Sequence, residues 1–211
     1  MTAAPPMIYV IDDDPSVGKA LERLMRSAGH QVRTFSSAID FVRCKDLEAP
    51  ACLVLDVSMP DLNGLELQEY LADREISPPI VFITGHGTVP MSVKAMKAGA
   101  LDFLEKPFHD ADLLNAIAHA IATDRLTRNK HQQLKKLQQR METLTARERQ
   151  VFHLVVTGLP NKQIAVQLGT AEKTIKVHRA RVMTKMGAQS LADLVRFADQ
   201  LSTHSPPRDD P

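Results

Sequence analysis

The sequence predicts an α/β domain, a doubly wound five-stranded parallel sheet, followed by an all-α domain, with a helical linker between them. Three observations carry this reading. Over the first 124 residues, five short apolar runs alternate with five amphipathic ones. The apolar runs do not alternate with polar residues, which is what strands of a parallel sheet covered by helices on both faces require. Beyond Leu144 the pattern changes to compact helical segments, with Gly158, Gly169 and Gly187 placed where helices stop.

The first strand is "MIYVI", residues 7–11, and it runs into three acidic residues, Asp12, Asp13 and Asp14. Asp14 followed by Pro15 reads as the N-cap and first position of the helix "VGKALERLMRSAG". The second pair is "QVRTF" and "SSAIDFVRC". The third is "ACLVLD", ending at Asp56, and "GLELQEYLADR", with Asp61 and Asn63 read as turn residues between them. The fourth is "PIVFIT", ending at Thr84, and "VPMSVKAMKAG"; His86 falls in the intervening loop and has no partner at metal-ligand spacing. The fifth is "LDFLEKP", carrying Phe103 and Lys106, and "DADLLNAIAHAIA". Strand-to-strand connections of this kind are right-handed, and open sheets of this class put their sites at the carboxyl ends of the strands.

Residues 1–122 form the first domain on this reading. Residues 123–141 are a linker without Gly or Pro that continues the fifth helix. Leu134, Leu137, Met141 and Leu144 recur along it at steps of three and four, a narrow apolar stripe that also suits a short coiled coil. Residues 142–203 form the helical domain, with Thr145 and Glu148 as a capping box at its start. The polar, proline-rich tail 204–211 is expected to be disordered.

The net charge of +1 conceals an asymmetry: residues 1–124 carry 10 Lys+Arg against 18 Asp+Glu, and residues 125–211 carry 16 against 7. Such a division suggests cationic partners in front and a polyanion behind. Two cysteines in 211 residues give no disulfide scaffold, and Cys52 reads as a small core residue. No apolar stretch approaches the ~20 residues of a membrane span, so no membrane partner and a cytoplasmic location are expected.

Packed like charges cost energy unless a cation sits among them. The strand ends bring Asp12, Asp13 and Asp56 together with the Thr84 hydroxyl and the Lys106 ammonium. Carboxylates for a hard divalent ion, a hydroxyl and an ammonium form a set suited to gripping a phosphoryl group.

The motifs "DDD", "LVLDVSMPDLNG", "FITGHG" and "LEKPF" resemble the receiver domain of two-component response regulators, and "GHGTVPMSVKAMKAGALDFLEKPF" is similar to the FixJ branch (the NarL/FixJ family). The resemblance implies a flavodoxin-like fold in which Asp56 accepts a phosphoryl group from a sensor histidine kinase. It implies Mg2+ held by Asp13, Asp56 and the backbone carbonyl of Ser58, with Asp12 acting through bound water. Lys106 would contact the phosphoryl oxygens, the Lys106–Pro107 bond would be cis, and Thr84 and Phe103 would switch on phosphorylation.

The stretches "LTARERQV", "NKQIA" and "TIKVH" resemble the LuxR-type helix-turn-helix domain. In such a domain "NKQIAVQLG" is a scaffold helix and "AEKTIKVHRARVMTKM" enters the major groove of double-stranded DNA. Ile175, Val182 and Met186 are expected in the core, leaving Lys173, Lys176, Arg179 and Arg181 outward. Lys176 and Val177 would approach base edges, and Asn161, Lys162, Lys173, Thr174 and His178 would contact phosphates. Family members often carry a basic residue where this chain has Ala180. Arg147, Glu148 and Arg149 are expected in internal ion pairs or a cap.

The function implied is a phosphorylation-activated transcription regulator, not an enzyme. Its receiver would dimerise through the face containing Val93, Met96, Leu101 and Phe103. It would bind a promoter as a homodimer and act as an activator, with RNA polymerase as a candidate further partner. The competing readings are a regulator whose receiver serves only for protein interaction, and a Mg2+-dependent phosphohydrolase with an Asp nucleophile.

Overall fold

The structure is a computed structural model that describes residues 6–44, 51–74 and 78–202. The tail 204–211 lies outside the described residues. The chain divides into two compact units, Met1–Thr127 and Arg128–Pro211.

The first unit holds five parallel strands in the order β2-β1-β3-β4-β5: β1 (Met7–Ile11), β2 (Gln31–Phe35), β3 (Cys52–Asp56), β4 (Ile80–Thr84) and β5 (Asp102–Glu105). Its helices are α1 (Pro15–Ser27), α2 (Ala38–Arg43), α3 (Gly64–Ala72) and α4 (Val89–Lys97), and α5 (Asp110–Glu142) begins here. The uniformly apolar strands follow from the pleat, because successive side chains enter different cores. Ile8, Val10, Cys52, Val54, Val81 and Ile83 pack with α1 and α5 residues such as Leu21, Met25, Leu113 and Ile117. Tyr9, Ile11, Leu53, Leu55, Ile80 and Phe82 pack on the other face with Phe41, Leu67, Leu71 and Ala95. Each Val, Leu, Ile, Met or Phe among them, fully buried, contributes about 1.5–3 kcal/mol. Edge strand β2, by contrast, is mostly exposed apart from Val32.

The strand order places the topological switch between β1 and β3. Ile11 pairs with Leu55, so Asp12 and Asp56 emerge side by side at the sheet's carboxyl edge. On the next strands Asp56 pairs with Ile83 and Thr84 with Glu105. The Lys106 amide donates to the Thr84 carbonyl at 2.7 Å, bringing Lys106 to the same edge.

The second unit contains the end of α5 and helices α6 (Ala146–Val156), α7 (Asn161–Gln167), α8 (Glu172–Met186) and α9 (Leu191–Ser202). Leu144, Val151, Phe152, Val155, Ile164, Ile175, Val182, Met186 and Leu194 form its core, and Met141 packs against it. Leu137 is also buried, so much of the apolar stripe read in the linker is used within this chain. Thr145 and Glu148 make the expected capping box, and Gly187 closes α8 in the left-handed conformation. No helix among the described residues is long and apolar enough to cross a membrane.

Candidate functional site

At the carboxyl edge of the sheet, one ligand oxygen each from Asp12, Asp13 and Asp56 can be chosen so that all lie within 4.8 Å of one another. Asp12 and Asp56 are buried, whereas Asp13 is exposed at the rim. Asp12 is oriented from both sides: the Asp14 amide donates to Oδ1 at 2.9 Å and Lys106 Nζ to Oδ2 at 2.7 Å. Asp14 itself turns away to cap α1, accepting from the Ser16 amide and hydroxyl. Those bonds, the hydroxyl's first, hold its carboxyl below the usual range.

Asp56 is left open. Its Oδ1 is buried without a hydrogen bond, and Lys106 Nζ stands 3.7 Å away. Burial pushes the Asp56 carboxyl up, Lys106 pulls it back, and the charges of Asp12 and Asp13 push it up again. An orphaned buried oxygen amid three carboxylates calls for a cation, and an all-oxygen donor set fits a hard divalent ion such as Mg2+. Thr84 is buried, and its Oγ1 accepts from the His86 amide at 3.2 Å. Lys106–Pro107 is cis. Phe103 is half-buried, its ring 6.1 Å from that of Phe82. Ser58 is exposed two residues after β3, and its backbone amide donates to the Asp56 carboxylate.

In the second unit, Lys162, Lys173, Thr174, Lys176 and Val177 are exposed, with Val177 at 47%. No side chain caps the N-terminus of α8. Asn161 and His178 are half-buried, and His178 Nδ1 has no hydrogen-bond partner. Ile175, Val182 and Met186 are in the core, as their spacing predicts.

Residues 8–118 match the response regulator receiver domain, and residues 142–198 match the bacterial regulatory proteins of the luxR family. The chain belongs to the response regulators of the NarL/FixJ type. It is 47% identical over 195 residues to nodulation protein W of Bradyrhizobium diazoefficiens, covering 92% of this chain and 86% of the relative. It is 43% identical over 195 residues to the transcriptional regulatory protein FixJ of Rhizobium meliloti, covering 90% and 94%. Among solved structures, response regulator StyR matches with a TM-score of 0.83 at 46% identity, over 93% of this chain and 100% of that one. Full-length FixJ from B. japonicum matches with a TM-score of 0.57 at 42% identity, over 95% and 98%. The protein is thus a transcription regulator with a receiver and a LuxR-type DNA-binding domain.

Several receiver residues do more than the sequence reading assigned. Asn63, read as a turn residue, caps α3: its side chain accepts from the Glu66 amide while Glu66 accepts from its backbone. The N-x-x-E pattern was the available signal. Gly64 lets α3 start against the phosphoacceptor candidate, since a Cβ there would lie 2.3 Å from the Asp56 carbonyl oxygen. Buried Gln68 donates to the carbonyls of Ala95 and Ala98 at the end of α4, a partnership nothing local could announce. In the LuxR-type domain, Arg179 bends back to Asn161 Oδ1 at 3.2 Å instead of standing free. Arg147 ties the start of α6 to the Leu168 carbonyl.

Proposed function

We propose that Asp56 is the phosphoacceptor of a phosphorylation-activated activator of transcription. The supporting observation is the unbonded, buried Asp56 Oδ1 facing Lys106 Nζ at 3.7 Å beside Asp12 and Asp13. One Asp56 oxygen attacks the phosphorus of a phosphohistidine on a sensor histidine kinase; a P–O bond forms, the P–N bond breaks, and imidazole leaves. Mg2+ held by Asp13, Asp56 and the Ser58 carbonyl, with Asp12 acting through water, would neutralise the carboxylates and the phosphoryl oxygens. Lys106 exchanges part of its hold on Asp12 for a phosphoryl oxygen, supplying positive charge where charge develops. Thr84 gives up its contact with the His86 amide and donates its hydroxyl to the same group, and Phe103 follows the loop inward.

The readout is assembly. Val93 and Met96 are exposed at 45% and 46% on α4, beside half-buried Leu101 and Phe103. An apolar face of this kind gains from pairing with a second copy, and two DNA-binding domains then engage a pseudo-palindromic promoter by avidity. On this reading the protein works in the cytoplasm, the segments 1–122, 123–141 and 142–203 act as receiver, linker and DNA-binding domain, and RNA polymerase is a further partner. Lys176 and Val177 face base edges, while Asn161, Lys162, Lys173, Thr174 and His178 face phosphates. Sedimentation with and without beryllofluoride and Mg2+ tests the assembly: a dimer only with the phosphoryl mimic supports it, and the same monomer in both conditions overturns it.

A further inference from the structure

The end of the helix proposed to read DNA is held by groups that the reading above does not use. Arg140 Nη1 donates to the carbonyl of Met186, the last residue of α8, at 3.0 Å. In return Lys185 Nζ donates to the Thr143 carbonyl at 2.9 Å and to Glu148 Oε2 at 2.6 Å. The bonds to Met186 and Thr143 each satisfy a carbonyl at a helix end, where no amide of the next turn is available, and each places a cation at the negative end of a helix dipole; the bond to Glu148 is an ion pair with the first turn of α6. Gly187 is favoured by its backbone, and any side chain there would displace the Arg140 guanidinium. The φ of Gly187 is +68°, and a Cβ would lie 2.9 Å from Arg140 Nη1.

The opposite end of α8 lacks such a clamp. It has no side-chain cap, and Lys173, Thr174, Lys176 and Val177 are exposed there. The orientation of the reading end is therefore set by the core side chains Ile175, Val182 and Met186, by the Arg179 bond to Asn161 on α7, and by the clamp at the far end. Lys176 lies about 15 Å along the axis from Met186, so a tilt of about 5° at the clamp moves it by roughly 1 Å. That is enough to spoil a directional contact to a base edge, whereas a flexible lysine follows a phosphate over the same distance.

We propose that Arg140 is a positioning residue for base reading: it fixes the angle of α8 through the Met186 carbonyl and touches no base itself. The proposal rests on the DNA-reading assignment of α8. It predicts a loss of discrimination between sequences, not a general loss of affinity.

The test uses the full-length protein with beryllofluoride and Mg2+, a duplex selected from a random pool by the wild type, and a scrambled duplex of equal length. R140M keeps the aliphatic stem and removes the donors. It should lower affinity for the selected duplex by about five- to tenfold, the weight of one hydrogen bond, and lower affinity for the scrambled one much less. R140K, whose ammonium can reach the same carbonyl, should recover most of the discrimination, and the unfolding midpoint of R140M should stay near that of the wild type. Equal losses on both duplexes would make Arg140 a simple phosphate contact, and no loss on either would make it idle. A lowered midpoint with discrimination intact in the folded protein would make it structural only. Each of these results overturns the proposal. Failure of the wild type to select any duplex would instead sink the DNA-reading assignment itself.

Discussion

Lys106 Nζ lies 2.7 Å from Asp12 Oδ2 but 3.7 Å from Asp56 Oδ1, so the ammonium is committed to one carboxylate and stands off the other. An incoming divalent ion must share this acidic cluster with a resident cation. Replacing Lys106 by Met should therefore tighten Mg2+ binding by about 1 kcal/mol or more, from the lost repulsion between two cations a few ångströms apart. Retention of the phosphoryl group should weaken at the same time. Calorimetric titration with Mg2+ checks the first effect, and weaker metal binding in the variant would contradict it.

Gly64 packs against the Asp56 backbone more closely than any side chain permits. Gly64→Ala should destabilise the receiver by about 1–3 kcal/mol through overpacking and slow phosphorylation by displacing Asp56. Urea unfolding and incorporation of phosphate from a small donor measure the two effects together. A variant as stable and as fast as the wild type would mean that the loop yields without cost.

Lys185 and the Thr145 amide hold the Glu148 carboxyl down to about 2 from an ordinary value of 4.5. A depressed folded-state value means that the stabilisation is complete above pH 4.5 and is lost as the pH falls toward 2. Glu148→Gln removes that dependence. The difference in stability between wild type and variant, followed by thermal unfolding, should thus shrink on acidification through this window. A constant difference would contradict the assignment.

Much of the fold was legible because its rules are local. Residues 52–56 and 80–84 read as buried strands since every position is apolar up to the final acid or hydroxyl, and alternate side chains fill two cores. The acidic cluster was legible because strand ends share an edge in any parallel sheet. What escaped were partners set by tertiary approach: Gln68 with the end of α4, Lys185 as the partner in the ion pair expected of Glu148, and Arg140 with Met186 are separated by 27 or more residues. Asn63 is a different case. Its capping pattern was present in the sequence and was outweighed by its turn-forming neighbours.

Exposed Lys176 and Lys162 should behave differently on DNA. Lys176→Ala should cost about 1–3 kcal/mol on the preferred sequence and little on others. Lys162→Ala should weaken binding to all sequences and reduce the salt slope by about 1. Titrations at several salt concentrations on selected and scrambled duplexes separate these effects, and identical behaviour of the two variants would overturn the division between base and phosphate contacts.

The central claim is that a phosphoryl group on Asp56 controls promoter occupancy. Its most direct test is the affinity of the intact protein for a promoter duplex before and after treatment with a small phosphodonor and Mg2+, with Asp56→Asn treated in parallel. The account predicts incorporation of one phosphoryl group and tighter binding in the wild type, with neither in Asp56→Asn. An unmodified wild-type protein, or a modified one whose promoter affinity is unchanged, would contradict it.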